Sequence, residues 1–173
     1  MLGNPHYWLD PANGLVVARS VSERLGRLDP ANAAGYRANL ARFESHLQEK
    51  LRQWEAQMAP YRGTKVVAYH NSWPNFAKRF GLVIVDFVEP KPGVPPSPGH
   101  VEALIRRVRE EKVPLLMVDP FFDVKLPQKI AKATGAQLVV LPHSVGANKE
   151  IVTYSDLFDY DLKLLTGALE RNR

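Results

Sequence analysis

Two histidines stand in contexts suited to holding a transition metal. His6 lies in the proline-bounded turn Gly3-Asn4-Pro5-His6-Tyr7-Trp8-Leu9-Asp10-Pro11, and His70 follows the apolar run Val66-Val67-Ala68-Tyr69 and precedes Asn71-Ser72-Trp73. Imidazole nitrogens delivered by two separate elements make half of a divalent-metal site. The chain contains no cysteine, so any metal ligand must be His, Asp or Glu. Because the first motif begins almost at Met1, the reading expects part of the site to lie upstream of this chain.

The other three histidines are weaker candidates. His46 sits among Glu44, Gln48 and Glu49 on the polar side of a helical stripe and reads as a surface residue. His100, in the first turn after Ser97, reads as exposed. His143, in Leu141-Pro142-His143-Ser144, follows an apolar run and is a candidate for the same cleft, as ligand or as support for one. Asp119-Pro120-Phe121-Phe122-Asp123 adds carboxylates near that rim. A hydrolase reading would use Asp119 with the histidines, but no Gly-x-Ser-x-Gly elbow, His-Glu-x-x-His helix, phosphate loop or dinucleotide glycine pattern is present.

These side chains need elements to position them. The phrase Leu-Asp-Pro-Ala-Asn occurs at 9–13 and at 28–32. Each copy predicts a helix start, with Asp10 and Asp29 as N-caps and proline at the first helical position. The first helix should close near Leu25 and Gly26. Tyr36, Leu40, Phe43, Leu47, Leu51, Trp54 and Met58 recur at spacings of three and four, predicting one helix from Asp29 to about Ala59. At 1.5 Å per residue it would be roughly 45 Å long, enough to span two lobes.

Beyond residue 63 the pattern changes to four apolar runs, at 66–69, 82–88, 115–118 and 138–141. None alternates polar with apolar, which predicts strands buried on both faces of a parallel sheet. Helices are expected at 73–80, 98–111 (capped by Ser97), 124–134 and 153–169. The fold class is therefore α/β, with a four-stranded parallel sheet flanked by helices. Residues 89–98 carry five prolines. They predict a stiff crossover that can also form a wall beside a ligand cleft.

Bulk properties bound the function. The 173 residues carry a net charge of +5, with a pI near 9.5. The basic residues are scattered over helix faces with acids between them, so no nucleic-acid partner is expected. No apolar run approaches the roughly 20 residues of a membrane span. The residues after Met1 do not have the form of a signal peptide, so a leader, if there is one, is expected upstream.

Together these motifs resemble the zinc- or manganese-type substrate-binding proteins of bacterial ABC transporters (cluster A-I). The resemblance is carried by Asn4-Pro5-His6-Tyr7-Trp8-Leu9-Asp10-Pro11, by Tyr69-His70-Asn71-Ser72-Trp73 with Phe76 and Arg79-Phe80-Gly81-Leu82, by Glu89-Pro90 with Pro95-Pro96-Ser97-Pro98, and by Leu157-Phe158-Asp159-Tyr160 in the last helix. It covers essentially the whole chain. It implies two α/β lobes joined by one long helix, with the metal between them. Residues 1–28 would then be the remnant of an N-terminal lobe, 29–60 the linking helix and 61–173 the C-terminal metal-binding lobe.

The resemblance makes His6 and His70 metal ligands, with a further histidine from the first lobe. A fourth ligand is expected near Val152-Thr153, where neither residue suits a metal, so Glu150, Asp156 or water would have to substitute. A histidine at position 70 tilts the choice toward Zn²⁺ over Mn²⁺ as the transported ligand. The implied protein is extracytoplasmic, periplasmic or membrane-anchored, monomeric when intact, and partnered by an ABC-transporter permease, with no enzymatic activity. A surface adhesin on the same scaffold is the alternative. With two imidazoles alone, residues 1–173 should bind zinc weakly, and the apolar face of the first helix should be exposed.

Overall fold

A computed structural model describes residues 3–171. Four short strands, β1 (Lys65–Ala68), β2 (Val83–Phe87), β3 (Leu115–Val118) and β4 (Gln137–Val140), form one sheet in the order β2-β1-β3-β4. Every pairing is parallel. β2 lies on one side of β1 and β3 on the other, so the connections reverse direction between the two central strands. In open α/β sheets ligands bind beyond the strand C-termini at such a reversal.

The apolar runs are continuous because helices cover both faces. Val66, Ala68, Leu115, Met117 and Val139 point to one face, where they meet Trp54 and Met58 of α2 (Ala33–Met58), Phe76 and Phe80 of α3 (Pro74–Phe80), and Leu157, Phe158, Leu162 and Leu165 of α6 (Tyr154–Glu170). Val67 and Leu116 point to the other face, against Leu104 and Val108 of α4 (Pro98–Glu110) and Ile130 of α5 (Lys125–Thr134). Ser97 caps α4 as expected, its Oγ accepting from His100 N at 3.2 Å. Thr153 caps α6 through a reciprocal box with Asp156.

The N-terminal helices depart from expectation at their junction. α1 (Pro11–Leu28) runs past Gly26 instead of closing there, and the helix expected from Asp29 begins as a regular helix only at Ala33. The two Leu-Asp-Pro-Ala-Asn copies are therefore not equivalent. The Asp10 carboxylate accepts from Ala12 N at 3.0 Å and starts α1. Asp29 instead ends α1, its own N–H donating to Leu25 O at 2.8 Å, and its carboxylate accepts from Asn32 Nδ2 and Tyr36 Oη. With that carboxylate taken by side chains and not by a backbone N–H, Pro30–Asn32 winds as a 3-10 turn in which Asn32 N donates to Asp29 O at 3.2 Å.

α1 and α2 form a hairpin. The C-terminal half of α2 is anchored on α6, with Trp54 Nε1 donating to Asp159 Oδ1 at 2.7 Å and Lys50 Nζ paired to Asp159 Oδ2 at 2.6 Å. The N-terminal half carries none of the helix's fully buried residues, which are Leu47, Trp54 and Met58.

Candidate metal centre

Three imidazoles gather beyond the strand C-termini. His70 follows β1, His143 follows β4, and His6 arrives on the turn that leads into α1. The His6 ring centroid is 6.1 Å from that of His70 and 6.5 Å from that of His143. Two imidazoles on one tetrahedral zinc have centroids about 5 Å apart, given Zn–N bonds near 2.0 Å. The rings thus need to close by about 1 Å, within the reach of side-chain rotation. Among the described residues no three His, Asp or Glu side chains are already drawn together at ligand spacing. A cleft of about 540 Å³ lined by Asn4, His6, His70, Asn71 and Pro92, among others, opens beside the His6 and His70 rings.

Hydrogen bonding fixes which ring nitrogen is free in His6 and His70. Asn4 Oδ1 accepts from His6 N at 2.9 Å and from His6 Nδ1 at 3.0 Å. An amide oxygen only accepts, so the proton sits on Nδ1 and the lone pair on Nε2. The His70 Nδ1 meets a Glu89 carboxylate oxygen, with the same consequence. The His143 Nδ1 lies 2.7 Å from Ser144 Oγ. Among the described residues no protein group hydrogen-bonds to Nε2 of any of the three. Burial, helped by the nearby His70 and His143, holds the His6 pKa below its ordinary value. The ring therefore stays neutral, as a metal ligand must be, to lower pH.

The His6 turn is clamped onto the sheet lobe from several sides. Arg79 of α3 binds the Asp10 carboxylate through Nε at 2.6 Å and Nη2 at 3.0 Å. Asn75 Nδ2 donates to His6 O, and Asn4 Nδ2 to Asn71 O. Trp8 Nε1 donates to His143 O at 2.7 Å, and Tyr154 Oη donates to Trp8 O at 2.5 Å. α1 comes close enough for this because residue 14 is glycine: a Cβ there would stand 2.6 Å from the Tyr154 ring. One network thus couples the His6 and His143 segments.

Beneath the rings lies Asp119, at the end of β3 and fully buried, with Ser72 and Trp73 as its polar neighbours. Burial raises its pKa, opposed by the nearby His143 and by Ser72 and Trp73. Asp161 of α6 is buried too, without a hydrogen-bond partner for its carboxylate, and burial and Asp119 push its pKa well above the usual carboxylate range. The Asp119 carboxylate is sealed from solvent, so the acid/base role that a hydrolase reading would give it has no access to the cleft.

The remaining expectations resolve by position. His46 lies on the surface, its Nε2 3.1 Å from Ser155 Oγ. His100 is half-buried instead of exposed, because its Nε2 reaches Phe87 O at 2.9 Å. Val152 is exposed, and the Asp156 carboxylate, offered as a substitute ligand, is taken by Thr153 N and Val152 N at the start of α6. The sequence offered His143 only as a candidate, yet it carries the same signal as His70, a histidine just past a strand. Glu89 and Asn4 were not singled out as groups that hold the site histidines, since nothing in one dimension shows which ring they meet.

A family model described as zinc-uptake complex component A periplasmic (ZnuA) matches residues 3–168. The high-affinity zinc uptake system protein ZnuA of Brucella abortus is 26% identical over 165 residues, covering 95% of this chain and 48% of that protein. The chain thus spans about half the length of the curated relatives it matches. A crystal structure of ZnuA superposes with a TM-score of 0.85 at 26% identity, covering 97% of this chain and 61% of that one. A mutant structure of the laminin-binding adhesin Lmb from Streptococcus agalactiae gives 0.83 at 25% identity, with 96% and 63% covered. The chain belongs to the ZnuA family of periplasmic zinc-uptake components.

Proposed function

We propose that this chain forms one wall of an extracytoplasmic binding site that captures Zn²⁺ for import by an ABC-transporter permease, with His6, His70 and His143 as ligands. The observation that carries the reading is the shared state of the three rings, each with Nδ1 engaged and Nε2 without a protein partner. Three imidazoles suit zinc better than manganese, which favours oxygen ligands. A tetrahedral ion held by three rings keeps one position open toward the cleft, and ligands divided between segments allow release when the segments shift. No catalysis is part of this reading, in keeping with the sealed Asp119 carboxylate. The intact protein is read as a monomer outside the cytoplasm; no helix among the described residues is long and apolar enough to cross a membrane.

Titration calorimetry with Zn²⁺ tests the assignment. His6→Ala, His70→Ala and His143→Ala should each weaken binding at least about tenfold, since removing a ligand exceeds the loss seen for the groups that support one. Binding unaffected by His70→Ala would overturn it. The likeness to a laminin-binding adhesin supports a second reading, attachment to host matrix, which a laminin pull-down with the folded chain would reveal.

A further inference from the structure

We propose that Glu89 is a positioning residue that sets the tautomer and orientation of His70, and that the proline-rich turn exists in part to hold this carboxylate still. The inference rests on His70 being a ligand and extends that reading to the group behind it. One Glu89 oxygen meets His70 Nδ1, and the other accepts from Gly93 N at 2.7 Å. Both oxygens are thus committed, and the side chain is only 9% exposed. The backbone is pinned as well: Glu89 N donates to Tyr69 O at 2.9 Å, tying the second residue after β2 to the residue before His70.

The turn closes through a bridge between Lys91 and Val94, with Gly93 at φ +76°, a conformation that L side chains adopt only with strain. Pro90 and Pro92 restrict the same few residues, and Pro92 lines the cleft beside His70. The carboxylate is therefore fixed before any metal arrives. A fixed acceptor at Nδ1 keeps the proton there, so the Nε2 lone pair is always the one on offer, and it makes the ring a stronger donor to the ion. Left without this acceptor, a neutral imidazole exchanges between both tautomers, and part of the population presents N–H where the metal needs a lone pair.

Nitrogen-15 NMR of the metal-free protein, with the ring neutral, tests the first half directly. His70 should show a protonated Nδ1 and an unprotonated Nε2, and Glu89→Ala should mix the two forms. Glu89→Gln, whose single amide oxygen can serve either His70 Nδ1 or Gly93 N but not both, should fall between the two patterns. In zinc titrations Glu89→Ala should lose about 10–100-fold in affinity, and Glu89→Gln a smaller part of that. A His70 ring protonated on Nε2, or a tautomer indifferent to Glu89→Ala in a protein that circular dichroism shows to be folded, overturns the proposal. So does zinc affinity that falls with His70→Ala but not with Glu89→Ala. Loss of the metal reading itself would look different: His70→Ala would leave zinc binding intact, while the tautomer measurement would still decide whether Glu89 governs the ring.

Discussion

The two ends of the α1–α2 hairpin carry the same kind of apolar stripe and meet opposite fates. At the C-terminal end of α2, Leu47, Trp54 and Met58 disappear into the core shared with α6 and the sheet. At the other end Val17, Val21, Leu25 and Leu28 remain exposed, and Val17 and Val21 help line an apolar groove of about 280 Å³ with Phe43 and Tyr154. Helical periodicity states only that a face is apolar. Whether it is covered depends on what the rest of the fold brings to it, and here cover is supplied on one side alone. The histidines sit at the seam, with His6 on the segment that enters the hairpin and His70 and His143 on the sheet lobe.

Truncating the covered end should have the largest effect. Trp54→Ala removes a side chain that packs on Phe158 at 5.1 Å and bonds Asp159, and should cost about 3–5 kcal/mol in denaturant unfolding. A smaller loss than that of an ordinary surface change would mean the two ends are more alike than their burial suggests.

The covered side also holds a buried carboxyl without a hydrogen bond, that of Asp161. A carboxyl whose pKa is higher in the folded than in the unfolded chain stabilises the fold below the unfolded value. That contribution is lost as pH rises through the folded value. Asp161 therefore should make stability decline as pH rises from about 4 toward neutrality. Asp161→Asn should flatten that slope and gain about 1–3 kcal/mol at neutral pH, read from urea midpoints across the range. An unchanged slope would mean the carboxyl is solvated.

The open end should give the smallest change in stability. Val21, 50% exposed, can become serine within about 0.5 kcal/mol, while light scattering should show less self-association at high concentration. A large loss of stability from Val21→Ser would show that this face is packed after all.

Much of the lobe was legible because its signals are local. Unbroken runs such as Leu115-Leu116-Met117-Val118 predicted strands covered on both faces, and the Ser97 and Thr153 ends of α4 and α6 carry their own capping atoms. The repeated Leu-Asp-Pro-Ala-Asn misled for a related reason: identical local sequence implied identical caps, but the Asp29 carboxylate meets the side chains of Asn32 and Tyr36 and caps no backbone N–H. Of the candidate site, His6 and His70 were legible from their motifs and their places beside turns and strand ends. The partners of their rings were not.

By itself the sequence determined the order of strands and helices, the parallel character of the sheet and the two foremost histidines, because spacing, capping and apolar runs act over a few neighbouring residues. Tertiary structure alone decided that His143 joins His6, that Glu89 meets the His70 ring, and that Trp8 is tied to Tyr154 across 146 positions. A ring's orientation and the nitrogen it offers depend on acceptors brought to it through space, and folding chooses those acceptors.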